Sequence, residues 1–314
     1  MLASSIATVV LVLTSGVASA ANQGHRSWGT APSLVKSPLP HEYVNISALP
    51  KKWDIRDVGG QSLATINRNQ RQPRPCGSCW AHAATSALSD RINLARGGET
   101  PFAQLAPQVL LNCVRGPTHS GGQSAGCYGG NVGAAYAYIA EHGIPDETCQ
   151  NYQATGDGRQ CTPENICRVC PLATGECSAV ENPPLYYVEE HGQVLGEAQM
   201  LAEIVTRGPI TCTIASPSSF ENFRGGVVFH DKEGHRGYEH DVEVAGFGVS
   251  RSGVPYWLVR NSFGTYWGDD GWIKIVRGVD NLGIESQECN WAIPKRTWHE
   301  TNKTGAEEAA TIFV

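Results

Sequence analysis

Apolar positions change their period about halfway along the chain. Between Ser78 and about Ala95 the run SCWAHAATSALSDRINLA spaces Ala83, Ala87, Ile92 and Leu94 for one buried face of a helix, and Gly97-Gly98 stops it. A second helical stretch, QLAPQVLLNCV, runs into a Gly-rich turn, and NVGAAYAYIAEHG gives a third that ends at Gly143. Beyond Pro184 short β-branched and aromatic runs bounded by Gly or Pro take over: PITCTIA, GGVVFH, HDVEVAGFGV, PYWLVRN and GWIKIVRG. The pattern predicts an α+β protein, mainly helical over residues 49–184 and β-rich over 185–294. Residues 149–177 hold five cysteines in a polar, turn-rich stretch, as suits an insert held by cross-links. Residues 21–48 lack either period and read as an extended leader, and 295–314 read as a loose tail.

Composition adds an address. Residues 1–20, MLASSIATVVLVLTSGVASA, read as a signal peptide: an apolar run ends at the cleavage signal Ala18-Ser19-Ala20, although no Lys or Arg precedes it. No later stretch has the roughly 18 apolar residues that a membrane span needs. The expectation is a soluble protein of the secretory route, either extracellular or delivered to a lysosome-like compartment. Eleven cysteines agree with an oxidising compartment, and their odd number leaves at least one thiol unpaired. Asn45-Ile46-Ser47 and Asn302-Lys303-Thr304 are glycan acceptor triplets. A formal net charge of −6 without a long basic run argues against nucleic acid or an anionic membrane as partner.

The candidate chemistry lies in QRQPRPCGSCW, residues 70–80. A C-x-x-C pair can be a redox couple, half a zinc site, or two cysteines with separate jobs. No strand precedes this Pro-rich segment, as a redox motif in a βαβ unit requires. Cys167-Arg168-Val169-Cys170 is formally available as a zinc partner, but a secreted chain favours disulfides, and no metal or other cofactor is expected. With Cys76 tied up, Cys79 falls on the first turn of the helix, where N–H groups and the dipole favour a thiolate. A helical cysteine is ordinarily an inert buried side chain, so a nucleophile also needs a base. His82 shares the helix with Cys79 and would leave no cleft for a substrate. His240 opens the alternating strand HDVEVAGFG in the other half, and Asn261 ends a following strand, where its amide oxygen suits the second imidazole nitrogen.

Those residues carry a family resemblance. CGSCW, EHDVEVAGFG and YWLVRNSFGTYWGDDGW resemble the active-site segments of the papain-like cysteine proteases, in the family's order, from about Leu49 to Pro294. The resemblance implies a papain-like fold, with a helical domain carrying Cys79, a β-barrel-like domain carrying His240, and the cleft between them. It makes Cys79, His240 and Asn261 catalytic, Gln70 an oxyanion donor, Gly129 and Gly130 the place where substrate backbone approaches, and Trp267 a shield of the His–Asn contact. The cysteine-to-histidine separation exceeds the roughly 130 to 150 residues of the usual pattern, and the Cys-rich segment accommodates the surplus. That surplus, with HGIPDETCQNYQ and the leader ending in HEYVNISALPKKWD, narrows the resemblance to the cathepsin X (cathepsin Z) branch. By it the disulfides are Cys76–Cys127, Cys113–Cys161, Cys149–Cys167, Cys170–Cys177 and Cys212–Cys289. Residues 21–48, a short propeptide with no cysteine and little apolar surface, are expected to block the cleft weakly as an extended strip.

Four departures from the family pattern stand out. Phe263 replaces a usual Trp. Asp241 follows His240; facing the imidazole it would raise the His pKa, but strand alternation is expected to turn it away from the ring. The leader lacks the cysteine that can cap the thiol in cathepsin X. Five residues, Arg71-Gln72-Pro73-Arg74-Pro75, separate Gln70 from Cys76 where most relatives have two. In cathepsin X the insertion closes the primed side of the groove and carries a histidine that grips the substrate's terminal carboxylate. Arg71 fills that position here, and guanidinium binds carboxylate in a bidentate fork at any working pH. The expectation is a monomeric carboxypeptidase acting on peptides or proteins with a free C-terminus. Dipeptide release, endopeptidase cleavage and an inactive binding scaffold are the alternatives.

Overall fold

The computed structural model describes residues 32–115, 125–156 and 160–295. Seven α-helices are described: α1 (Pro40–Tyr43), α2 (Cys79–Ala95), α3 (Pro107–Cys113), α4 (Val132–His142), α5 (Pro163–Ile166), α6 (Glu197–Arg207) and α7 (Ser218–Glu221). The strands are β1 (Trp53–Asp54), β2 (Arg168–Val169), β3 (Ser178–Ala179), β4 (Val188–Val194), β5 (Ile210–Ile214), β6 (Val228–Phe229), β7 (His240–Val249), β8 (Pro255–Arg260), β9 (Trp272–Val276) and β10 (Cys289–Pro294). The main sheet runs β4-β10-β5-β7-β8-β9-β6, with β1 paired to β7 off that path. The fold is α+β, and among the described residues this path has two ends instead of closing into a ring. β7 holds the middle of it, so its first residue, His240, starts from the best-supported strand in the sheet.

Two apolar cores flank the junction. Trp80, Leu88, Leu110, Leu111, Tyr136 and Ile139 pack within the helical half. Phe220, Val242, Trp257, Phe263, Ile273 and Trp291 pack against the sheet. Between them α2 is buried on every side from Cys79 to Asn93, not on one face as the spacing of its apolar residues predicts. Several of its polar side chains are paired instead of solvated. Thr85 Oγ1 donates to the Ala81 carbonyl (2.8 Å), Ser89 Oγ to the Thr85 carbonyl (2.6 Å), and Asn93 Oδ1 accepts the Ala103 N–H (2.9 Å). A helix so covered has no soft side along which to shift.

Buried ions tie this helix to the sheet. Asp90 Oδ2 accepts from Arg260 of β8 at 2.7 Å, and Arg260 also meets Glu243 of β7 at 3.3 Å. The adjacent Arg91 donates to Glu203 of α6 at 2.9 Å and to the carbonyls of Gly208 and Ala292, both at 3.0 Å. All five of these side chains are buried. Burial raises the Glu243 pKa well above the usual carboxylate range, and the paired charges are Asp90 with Arg260 and Glu203 with Arg91; removing one partner would leave the other stranded in an apolar interior, at about 3–5 kcal/mol. The position of the Cys79 end of α2 relative to β7 is thereby fixed.

Five disulfides join Cys76–Cys127, Cys113–Cys161, Cys149–Cys167, Cys170–Cys177 and Cys212–Cys289. The last links residues directly opposite one another on β5 and β10. Three of the five have both or one end in the Cys-rich segment, where α5 and β2 give the regular structure among the described residues.

Two elements depart from the expected pattern. α6 interrupts the β-rich half, and its Met200, Glu203 and Ile204 face inward at helical spacing. The run GGVVFH yields only the two-residue β6, paired in parallel with β9. The described part of the leader is folded onto the body. Leu34 bridges His191 of β4, Glu190 accepts from the N–H groups of Lys36 and Ser37 (2.8 and 2.9 Å), and Arg207 donates to Ser37 Oγ (3.0 Å). β4 lies three strands from β7, about 14 Å at ordinary strand spacing. Residues 32–48 therefore dock on the sheet edge and α6, and residues 21–31 and 296–314 lie outside the described residues. No helix among the described residues is long and apolar enough to cross a membrane.

Candidate active site

Cys79 opens α2 and is fully buried. It is the free cysteine among the described residues, because Cys76 and Cys170 are both consumed in disulfides. That rules out Cys76–Cys79 as a redox couple and a zinc site shared with Cys167 and Cys170. No group of three metal-ligating side chains is placed to hold an ion among the described residues. Burial pushes the Cys79 thiol well above its ordinary value, and Asp241 pushes it further up.

His240 is the first residue of β7. Its Nε2 lies 2.8 Å from Asn261 Oδ1, and that oxygen also accepts the Ser262 N–H at 2.8 Å. An oxygen already accepting from a main-chain N–H acts as an acceptor toward the ring too, so Nε2 carries the proton and Nδ1 holds the lone pair. Nδ1 is buried without a hydrogen-bond partner. The network thus leaves one basic nitrogen unsatisfied, in the tautomer that accepting a proton requires. Burial lowers the His240 pKa to about 4; the Asn261 bond and Asp241 act upward, and Arg71 downward.

Aromatic rings enclose the imidazole. Phe263 lies 4.9 Å from it and Phe220 5.9 Å, centroid to centroid. Trp267 stacks behind both, at 5.7 and 5.1 Å, and donates to the carbonyls of Phe220 and Glu221. The immediate cover of His240 is therefore Phe263 and Phe220, with Trp267 as their backing.

Gln70 is pinned at every polar atom. Its N–H donates to the Ser262 carbonyl (2.8 Å), its Nε2 to the Cys76 carbonyl (3.0 Å), and its Oε1 accepts from Ser262 Oγ (2.6 Å). Its own carbonyl accepts from the Tyr152 hydroxyl at 2.8 Å, and that hydroxyl lies 2.6 Å from Ser78 Oγ. The Cys-rich segment thus reaches the site through Tyr152. Gly130 is buried against Trp80, whose ring atoms would meet a Cβ at 2.3 Å, and Gly129 sits at φ +103°. His82 is held neutral, its pKa lowered by burial to about 3, with Nδ1 3.0 Å from the Ser78 carbonyl and its ring against Tyr152. It packs the wall of the site.

Arg71 is the looser neighbour. Its guanidinium stacks over Phe263, 3.8 Å from the centroid, and lies 3.8 Å from Glu221, with 30% of the side chain exposed. Burial raises the Glu221 pKa; Arg71 opposes this and Glu239 adds to it.

Sequence reasoning left the surroundings of one residue open and overlooked others. Asp241 is turned from the imidazole and buried, with Oδ1 accepting from Thr213 Oγ1 (2.7 Å) and Oδ2 3.9 Å from Cys79 Sγ. Alternation does send it to the face opposite its neighbour, but that face meets the start of α2. Tyr152, Ser262 and Glu221 were not anticipated. An Asn-Ser pair after a strand is a signal for Ser262; the other two come from segments without a pattern that points at the site.

The papain family cysteine protease profile matches residues 49–292, and the chain belongs to that family. It is 41% identical over 261 residues to a cathepsin Z of Onchocerca volvulus, covering 81% of this chain and 80% of the relative. A cathepsin B-like cysteine proteinase 5 of Caenorhabditis elegans is 31% identical over 278 residues, covering 80% and 78%. Among solved structures, a digestive procathepsin L2 proteinase of Tenebrio molitor superposes with a TM-score of 0.67 at 25% identity, covering 87% of this chain and 78% of that one. The bromelain protease of Ananas comosus, solved in complex with the E64 inhibitor, gives a TM-score of 0.60 at 25% identity, covering 78% and 99%.

Proposed function

We propose that this papain-family cysteine peptidase is a carboxypeptidase that removes single C-terminal residues, with Cys79 as nucleophile and Arg71 as the anchor for the substrate's terminal carboxylate. His240 Nδ1 takes the thiol proton while Asn261 holds the opposite nitrogen. The thiolate attacks the scissile carbonyl. Gln70 Nε2 and the Cys79 N–H stabilise the oxyanion, the leaving amine takes the proton from the imidazolium, and water cleaves the thioester. Burial opposes a charge on either group alone, so the pair becomes ionic by passing one proton between its members. Gly129 and Gly130 leave the substrate backbone room beside Trp80.

The observation that carries the exopeptidase reading is the stack Arg71–Phe263–His240, with steps of 3.8 and 4.9 Å. It sets a fixed positive charge one aromatic ring from the base, where a carboxylate one residue beyond the scissile bond is within reach. Dipeptide release or internal cleavage would need that charge further away or displaced. The leader residues 21–48 act as a propeptide, and the enzyme works extracellularly or in a lysosome-like compartment of the secretory route.

The decisive experiment digests one peptide as free acid and as C-terminal amide. The free acid should lose single residues stepwise, and Arg71→Ala should lower kcat/KM for it about 10- to 100-fold, the worth of a charge-assisted hydrogen-bond pair. Equal cleavage of acid and amide would remove Arg71 from the site. Cys79→Ala or His240→Ala with undiminished hydrolysis would end the peptidase assignment of these residues.

A further inference from the structure

We infer that Asp241 sets the pH window of the Cys79–His240 pair, by holding a buried negative charge against both of its members; the inference rests on the reading of that pair as nucleophile and base.

The geometry fixes the carboxylate. Thr213 of β5 lies directly across from Asp241 in the strand register, and its hydroxyl donates to Oδ1 at 2.7 Å. With one oxygen anchored, the other is held 3.9 Å from Cys79 Sγ. A protonated thiol can donate to that oxygen, whereas a thiolate meets it as a like charge. The imidazolium on the adjacent residue, in contrast, is stabilised by the same charge. The carboxylate is 1% exposed, so solvent screens neither effect strongly.

The remaining groups around it do not cancel this arrangement. From α2 it meets Cys79. From α4, Tyr136 feels the charges of Asp241 and Glu243, with burial keeping its phenol neutral. On β7, Glu243 lies two residues on and is engaged with Arg260 at 3.3 Å. Tyr152, beside Cys79, is also kept neutral by burial. Arg71 is the cation that acts on His240, and it acts downward, against Asp241.

The signs follow group by group. Activity appears as Cys79 loses its proton to the pair and disappears as the imidazolium loses its own. A negative charge raises both pKa values, so Asp241 displaces the whole window toward alkaline pH. It acts through Cys79 and His240 and is a positioning residue, not one that touches the scissile bond.

The test compares full-length wild-type and Asp241→Asn protein, following the pH dependence of kcat/KM and of Cys79 alkylation by iodoacetamide. Asparagine keeps an acceptor for Thr213 and removes the charge. Both inflections should move to lower pH by about one unit, and Asp241→Glu should move them back toward the wild-type values. Unmoved inflections overturn the inference, as does an effect confined to KM for substrates with basic side chains. If Asp241→Asn does not fold, Thr213→Val takes its place: it withdraws the hydrogen bond that favours the charged carboxylate, and a smaller shift in the same direction is expected. No shift there also overturns the inference. A wild-type protein whose alkylation is indifferent to His240→Ala would instead indict the underlying pair.

Discussion

Gln70 and Arg71 are neighbours in the chain and opposites in how they are held. Every polar atom of Gln70 has a partner within 3.0 Å, and the residue is 2% exposed. The Arg71 guanidinium rests on a ring face and a carboxylate, both at 3.8 Å, with 30% of its side chain open. An oxyanion donor must wait in the position that the transition state will occupy, because moving it at the moment of reaction would consume the stabilisation it provides. An anchor for a substrate terminus has to exchange one carboxylate for another, and tight internal bonds would compete with the substrate. The insertion begins where the first requirement gives way to the second.

The strongest way to break that comparison is to remove the pinned residue. Gln70→Ala should lower kcat about 100- to 1000-fold, the usual cost of deleting one oxyanion donor, with free acid and amide substrates affected alike. A loss restricted to the free acid would mean that Gln70 serves the anchor and that the division drawn here is wrong.

The same contrast explains what was legible in the sequence. Cys79, His240 and Asn261 occupy the first residue of a helix, the first residue of a strand and the residue after a strand, positions that local pattern locates. The α+β division and the three early helices were readable for the same reason. Less legible was whatever depends on a distant partner. α2 looks one-sided because Thr85, Ser89, Asp90 and Arg91 are polar; the first two bond carbonyls of their own helix, and partners from β8 and α6 allow Asp90 and Arg91 to be buried. α6 hid in the β-rich half because Glu203, paired with Arg91, breaks its apolar stripe. For Asp241, alternation gave the face and not what packs on that face. The Cys-rich segment has too little regular structure for its Tyr152 to be placed against Gln70 by any period.

Tyr152 sharpens the comparison at a smaller scale. Its hydroxyl supports the Gln70 main chain at 2.8 Å without approaching the position of a substrate anchor. Tyr152→Phe removes that hydrogen bond together with the one to Ser78 Oγ, and keeps the ring against His82. Since a net hydrogen bond is worth about 1 kcal/mol, kcat should fall about 5-fold with KM unchanged, for acid and amide substrates equally. A rise in KM alone would place Tyr152 in substrate binding.

Glu221 tests the other half of the comparison, and here the smallest effect is expected. Its carboxylate meets Arg71 where the substrate's carboxylate is proposed to bind, so it is a competitor built into the chain. Both side chains are partly exposed, and such a pair is worth at most about 1 kcal/mol. Glu221→Gln should therefore lower KM for free-acid substrates at neutral pH by up to about 5-fold and leave amide substrates unchanged. The pH dependence carries a further sign. Burial raises the Glu221 pKa, so its carboxylate is neutralised first as pH falls, while a peptide's terminal carboxyl, with an ordinary pKa of about 3.5, is still charged. In the wild type, KM for the free acid should fall as pH drops through the Glu221 transition, although Arg71 itself gains no proton. In Glu221→Gln that dependence should be flat. Measuring KM for one free-acid peptide across that range, in both proteins, checks it, and parallel curves would show that Glu221 does not compete for Arg71.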